Sequence, residues 1–129
     1  MKTLREIQEN YLAIDFFMSM SCNKNCHYCT SYTLEMRNLT VDMDFLKETL
    51  DYLKNYKIRV CLLGGEPGLI KNLDEVIAEV KSRPNHVCSV LSNSFVRKRY
   101  PHILKDPDIL YVEHNILDFY EDRIEKLGN

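Results

Sequence analysis

The sequence predicts an α/β fold in which four strand–helix units form a parallel sheet. Two observations carry this prediction: short apolar runs typical of buried strands recur along the chain, and helical patterns or helix signals follow them. Strands that alternate with helices form parallel sheets joined by right-handed crossovers. The chain has 129 residues without a low-complexity segment or linker, so residues 1–129 are expected to form a single domain. The predicted strands are residues 11–18, 58–63, 86–91 and 109–112.

The first predicted strand, residues 11–18, is a nearly continuous apolar and aromatic run, which is the pattern of a strand buried on both faces. The helix of this unit follows a polar stretch. Thr40 is its expected N-cap, and Asp42 and Asp44 lie in the first turn, where acidic groups interact favourably with the helix dipole. Apolar residues at three- and four-residue spacing continue this helix to about residue 56.

The other three units follow the same pattern. In the second, Asn72 and Glu75 predict a capping box, and an amphipathic helix continues until Pro84. In the third, a short helix is expected at residues 95–99. The fourth strand precedes a last helix, which Asp118 is expected to cap.

Composition and charge argue against several classes of protein. The formal net charge is −2 and the sequence pI is about 6.1, whereas nucleic-acid-binding domains are usually strongly basic. No apolar stretch approaches the roughly 20 residues of a membrane helix, and the first ten residues are too charged for a secretory signal. The interpretation is a cytoplasmic protein that binds neither nucleic acid nor membrane.

Three of the five cysteines lie within eight residues, at Cys22, Cys26 and Cys29, with C-x3-C-x2-C spacing. In a reducing compartment such a cluster indicates a metal or redox site rather than a disulfide framework. Three thiolates on one loop can ligate three irons of a cubane cluster. The fourth iron is then open to a substrate.

Other interpretations of this loop stay open. A structural zinc needs a fourth ligand such as His27 or Cys61. An electron-transfer cluster needs a fourth cysteine, Cys61 or Cys88, and a chance cluster is the third alternative. Cys61 and Cys88 lie inside predicted strands, where free cysteine packs as a small hydrophobe, so we interpret both as core residues.

A second motif, Gly64-Gly65-Glu66-Pro67, follows the second predicted strand, 35 residues after Cys29. That separation accommodates one helix and one strand. Both motifs are therefore expected at the carboxyl ends of neighbouring parallel strands, where α/β folds bind ligands. Glycines permit positive φ and close approach of the backbone to a ligand. Alone, the motif is also typical of an ordinary strand–helix turn.

Together the two motifs resemble the radical S-adenosylmethionine (SAM) superfamily, over about residues 11–115. The resemblance implies that the three cysteines bind a [4Fe–4S] cluster, that SAM chelates the remaining iron, and that the GGEP loop contacts the SAM amino group. The cofactor-binding residues that it implies are Tyr28 near the adenine, Gly64, Gly65, Glu66 and Pro67 at the amino group, Ser92 and Asn93 in the turn after the third strand, and Glu113 and Asn115, which share a strand face, near the ribose.

The implied reaction is reductive cleavage of SAM at the cluster, giving a 5′-deoxyadenosyl radical that abstracts hydrogen from a substrate. The cluster and SAM supply this chemistry, while the protein orients them and excludes water, so no acid–base residue is predicted. An electron donor such as flavodoxin or ferredoxin and an unidentified substrate are the expected partners. The basic run at residues 97–99 is interpreted as a solvated face.

Members of this family are usually partial barrels of six strand–helix units, and four are counted here. The expected fold is therefore an incomplete TIM-type barrel. The chain is then a piece of a longer protein, a minimal form, or a subunit completed by a second copy or another chain. A non-catalytic metalloprotein and a degenerate assembly subunit stay as alternatives to the enzyme.

Overall fold

The computed structural model describes residues 3–18, 40–64, 66–92 and 95–114, except for the side chains of Leu4, Glu113 and His114. Helices and strands alternate through these residues. In chain order the elements are α1 (Leu4–Asn10), β1 (Leu12–Phe17), α2 (Met43–Tyr52), β2 (Ile58–Leu63), a 3₁₀ turn (Pro67–Leu69), α3 (Leu73–Lys81), β3 (His86–Ser92), α4 (Phe95–Arg99), a second 3₁₀ turn (Pro101–Lys105) and β4 (Ile109–His114).

The four strands form one parallel sheet in the order β1-β2-β3-β4. The register aligns their carboxyl ends, because Phe17 lies opposite Leu63 and Leu62 lies opposite Val90. One irregularity interrupts the pairing of β3 with β4, where the register shifts between Cys88 and Val90. The prediction of a parallel α/β fold is confirmed.

One face of the sheet packs against the helices and forms the core. Along β2, buried residues alternate with half-buried ones, as expected for side chains that point to opposite faces of a strand. The buried residues join apolar side chains of α2 and α3, and burying each such side chain contributes about 1.5–3 kcal/mol. The fully buried members are Leu46, Ile58, Leu62, Leu73, Val76 and Val80.

The prediction that the first strand is buried on both faces is wrong. Leu12 is 66% exposed and Phe17 is 57% exposed, and β1 alternates between exposed and half-buried residues beyond its first two. Within the described residues β1 is an edge strand, paired with β2 alone. The apolar run of β1 therefore carries more hydrophobic surface than the described residues bury.

Two predicted helix caps differ from the structure. Asp42, not Thr40, caps α2, since its carboxylate accepts hydrogen bonds from the backbone N–H groups of Asp44 (3.0 Å) and Phe45 (3.2 Å). Asn72 stands at the start of α3 without a side-chain cap bond. Its amide instead pairs with the backbone N–H and C=O of Val41, both at 2.9 Å, which ties the start of α2 to α3.

Helix α1 was not expected from the sequence. A capping box begins it: the N–H of Glu6 donates to the Thr3 hydroxyl and the N–H of Thr3 donates to the Glu6 carboxylate. The Thr-x-x-Glu spacing was the signal that could have identified it. The expected helix at Asp118 lies outside the described residues. In the part of the chain that the structure describes, no helix is long and apolar enough to cross a membrane.

Candidate functional site

The two strands that precede the motifs in sequence, β1 and β2, end side by side at the carboxyl edge of the sheet. The backbone N–H of Met18, which follows β1, donates to the carbonyl of Leu63, the last residue of β2, at 2.9 Å. The segment that carries the cysteines begins directly after Met18, and Gly64 begins the second motif. The expectation that both motifs follow neighbouring parallel strands is therefore confirmed for β1 and β2. Cys22, Cys26, Cys29 and Tyr28 lie outside the described residues, and their roles stay predictions.

Gly64 turns the chain away from β2. Its φ is 96°, in the left-handed region that L side chains rarely adopt. A glycine is therefore required at this point by the backbone itself. Gly65, the other glycine of the motif, lies outside the described residues.

The Glu66 carboxylate points into the protein and is fully buried. It accepts hydrogen bonds from the backbone N–H of Gly68 and from the Ser92 hydroxyl, at 2.8 Å to Oε1 and 3.1 Å to Oε2. Glu66 thereby caps the 3₁₀ turn that begins at Pro67. This carboxylate therefore has a structural role, because it holds the loop together. Its predicted contact with the SAM amino group stays a prediction.

Ser92 ends β3 and links the motif to α4. Its hydroxyl donates to Glu66 and accepts from the backbone N–H of Val96 at 3.3 Å. A serine hydroxyl has a single proton to donate. The predicted contact of Ser92 with SAM stays a prediction, while Asn93 and Asn115 lie outside the described residues.

The position of Glu113 is known only for its backbone. It lies in β4 opposite Leu91 of β3, one residue before the strand ends. That places it at the same carboxyl edge as the two motifs. Its predicted role near the ribose stays a prediction.

Three further residues shape this edge and were missed by sequence reasoning. A Cβ at Gly68 would lie 2.7 Å from Glu66 Oε2 and 2.8 Å from the backbone nitrogen of Val96. Arg99 Nη1 donates to the carbonyls of Gly68 and Leu69, both at 3.1 Å. Arg99 is exposed, as expected for a residue of a solvated face, but these hydrogen bonds also give it a structural role that was not predicted.

Tyr100 is the third of these residues. Its hydroxyl donates to the carbonyl of Ile70 at 2.6 Å and approaches that of Lys71 at 3.3 Å. Tyr100 is buried, and this burial raises the pKa of its phenol. The third glycine of Gly-Gly-Glu-Pro-Gly was a signal for Gly68, but no local pattern pointed to Arg99 or Tyr100.

The two strand cysteines lie on opposite faces of the sheet. Cys88 is fully buried in the core, and burial raises the pKa of its thiol to about 12, so its interpretation as a core residue is confirmed. Cys61 is half-buried on the face away from the helices, so its interpretation as a residue of this core is wrong. Among the described residues, no three His, Cys, Asp or Glu side chains are grouped to hold a metal.

The sheet face away from the helices carries polar groups as well as Cys61. Within the described residues, Ser89 Oγ and Arg59 Nε are buried and have no hydrogen-bond partner. The register of β2 and β3 puts Ser89 opposite Cys61, and the shift between β3 and β4 lies at the same position. This face is the one that a barrel encloses.

Comparison with known proteins identifies the class. The family model of the Radical SAM superfamily matches residues 17–129, and the chain belongs to this superfamily of enzymes. Enzymes of this superfamily use a [4Fe–4S] cluster and SAM. Membership of the superfamily therefore confirms the prediction of these two cofactors.

Curated relatives include the GTP 3′,8-cyclases of two Helicobacter pylori strains. That of strain J99 is 34% identical over an alignment of 119 residues, and the match covers 86% of this chain and 36% of the relative. That of strain 26695 is 33% identical with the same coverage. The chain thus spans little more than a third of the length of these relatives.

A solved structure of BtrN in an open conformation has a similar fold. Its TM-score is 0.57, and the match covers 81% of this chain and 57% of that chain. At 23% identity this likeness shows the fold alone. It agrees with the predicted incomplete TIM-type barrel.

Proposed function

We propose that this chain is the cluster- and SAM-binding part of a radical SAM enzyme. The observation that carries the proposal is the junction at the carboxyl edge, where the hydrogen bond from Met18 to Leu63 brings the start of the cysteine segment beside the start of the GGEP loop. Ligands of parallel α/β folds bind at this edge.

The residue types of the two motifs fit the cofactors of the family. The three cysteines are soft thiolate donors with spacing for one cubane cluster, and they would leave one iron for SAM. The positive φ of Gly64 turns the backbone as it leaves β2, and a glycine there would let the main chain approach a bound ligand closely. When bound, the cluster and SAM supply the reductive cleavage that gives a 5′-deoxyadenosyl radical.

The side chains of this chain would orient the bound groups and exclude water. Phe17 and Leu63 lie opposite each other at the ends of β1 and β2, on the sheet face away from the helices. Their apolar surface would keep water from the reacting groups. Glu66 would keep the loop in place through its bonds to Gly68 and Ser92.

The substrate and the partners are further proposals, which depend on the proposed SAM chemistry. The relatives are named for GTP, so GTP is the first substrate to test. The rest of the barrel would come from a longer chain, from a second copy or from another protein. A flavodoxin or ferredoxin would supply the electron. We propose a reducing, cytoplasmic setting, since it would preserve both thiolates and cluster.

SAM cleavage is the experiment that tests the function. The protein is reconstituted anaerobically with iron and sulfide, reduced with dithionite and assayed for 5′-deoxyadenosine, with and without GTP. We expect a brown protein with about four irons per chain and product that depends on SAM.

The control is the triple variant Cys22→Ala/Cys26→Ala/Cys29→Ala, compared with Cys61→Ala, which removes a cysteine outside the motif. The triple variant should lose iron and product, and Cys61→Ala should retain both. A colourless protein with one zinc would favour the structural metal site. A brown protein that makes no product would favour the degenerate subunit or a missing partner.

A further inference from the structure

The segment after the GGEP motif is held by side chains from the following unit. Its 3₁₀ turn spans only Pro67–Leu69, too short to be stable alone. The carbonyls at the end of such a turn have no donors within it. Here the four consecutive carbonyls of residues 68–71 accept hydrogen bonds from Arg99 and Tyr100.

The start of the same segment is held from the end of β3. Ser92 donates to the Glu66 carboxylate, which also accepts from the N–H of Gly68. Gly68 packs so closely against α4 that a Cβ would lie 2.8 Å from the nitrogen of Val96. Both ends of the segment are therefore fastened to the unit formed by β3 and α4.

We propose that Ser92, Arg99 and Tyr100, together named the α4 bracket, are positioning residues that hold the GGEP loop in the shape that binds SAM. This inference rests on the function proposed above. Arg99 and Tyr100 act through the loop rather than by contact with SAM, and Ser92 acts on the loop through Glu66 in addition to the SAM contact predicted for it. The α4 bracket raises SAM affinity because a loop that is already ordered loses less conformational freedom when the ligand binds.

The charge on each hydrogen-bond donor indicates which residue of the α4 bracket contributes most to holding the loop. Arg99 is exposed, but it is charged and serves two carbonyls from one nitrogen, and charge-assisted hydrogen bonds are about twice as strong as neutral ones. Tyr100 contributes a neutral but buried bond. We therefore expect the order of effects to be Arg99 above Tyr100.

The test compares Arg99→Met with Lys98→Met, a neighbouring exposed cation on the same helix, and Tyr100→Phe with Tyr56→Phe, an exposed tyrosine. Hydrogen exchange of residues 64–71 is measured on the full chain without cofactors. The dissociation constant for SAM is measured on the cluster-loaded protein, together with its iron content. Arg99→Lys, which keeps the charge, is the rescue variant.

In Arg99→Met we expect hydrogen exchange of residues 64–71 to accelerate about tenfold. The dissociation constant of this variant for SAM should rise about five- to twentyfold, while its iron content stays unchanged. Tyr100→Phe should give about half these effects on a logarithmic scale. Both controls should stay within twofold of the wild type, and Arg99→Lys should recover part of the affinity. In the cleavage assay, KM for SAM should rise while kcat changes less than twofold.

Two results overturn the inference while the proposed function stands: unchanged exchange in Arg99→Met, or accelerated exchange with unchanged affinity for SAM. If Lys98→Met has the same effect as Arg99→Met, net charge rather than the α4 bracket is responsible, and the inference is wrong. A cluster-loaded wild type that binds no SAM instead refutes the proposed function, and the inference with it.

Discussion

Replacing the buried Gly68 with alanine should destabilise the fold strongly, although the change adds a single methyl group. The new Cβ would lie 2.7 Å from Glu66 Oε2, 2.8 Å from the nitrogen of Val96 and 2.9 Å from the carbonyl carbon of Phe95. Two of these three atoms belong to the backbone at the start of α4. The strain therefore cannot be relieved by a side-chain rotation alone.

The size of the effect follows from three contributions. Overpacking of a closely packed site costs about 1–3 kcal/mol. Displacing the Glu66 carboxylate weakens its bonds to Gly68 and Ser92, and each such bond to a charged group contributes about 1.5–3 kcal/mol. Alanine restricts the unfolded chain, which offsets about 0.4–1 kcal/mol of this loss. We expect a net loss of about 2–4 kcal/mol in the free energy of unfolding.

Urea unfolding of the chain without cofactors, followed by circular dichroism, measures this loss. Lys71→Ala is the control, because Lys71 is exposed in the same segment. It should change the free energy of unfolding by less than about 0.5 kcal/mol. If Gly68→Ala were equally mild, the close approach of this loop to α4 would be refuted.

Three further changes test other contacts. Glu66→Gln should lower the free energy of unfolding by about 1–3 kcal/mol, since an amide lacks the charge that strengthens the bonds from Ser92 and Gly68. Asp106→Asn should cost about 0.5–1 kcal/mol at pH 7, and denaturation at several pH values should show this cost shrinking as the pH falls below 3.8. The Lys81 ammonium lowers the pKa of Asp106 below its ordinary 3.8, so its stabilisation is present above that value and is lost as the pH falls through the lowered pKa. Cys88, whose thiol pKa is raised to about 12, should be alkylated by iodoacetamide at pH 8 only on unfolding, as read by mass spectrometry.

Each of these expectations has a matched control or a contrary result. Glu75→Gln alters an exposed carboxylate and should have little effect, so equal losses in both variants would argue against the buried role of Glu66. The Lys81–Asp106 ion pair, at 2.7 Å with side chains 29% and 23% exposed, would be unimportant if the Asp106→Asn difference did not depend on pH. Alkylation of Cys88 in the native state would contradict its place in the core.

Much of the sheet was predictable from local pattern. The predicted second strand has the same bounds as β2, the third differs from β3 by one residue, and the short helix at residues 95–99 coincides with α4. The two strands are largely apolar runs that end at glycine or at small polar residues, and the helix ends just before Pro101, so neighbours in sequence are enough to define them. The two motifs in order were also enough to identify the family, which the family model confirms.

The predictions were wrong where contacts between residues distant in sequence determine the local structure or the burial. Asn72 resembles an N-cap in sequence, but its amide bonds to Val41, 31 residues earlier. The apolar run of β1 predicts burial on both faces, yet burial depends on which elements pack against a strand. No pattern within a short window contains that information.

The sequence by itself determined the α/β class, the strand positions and the cysteine and glycine motifs, because these depend on residue type and spacing. Only the tertiary structure decided how the GGEP loop is held. Glu66 meets Ser92 across 26 residues and Gly68 meets Arg99 across 31, after two helices and a strand have brought them together. Hydrogen bonds depend on distance and direction in space, and parallel pairing of β2 with β3 creates that proximity.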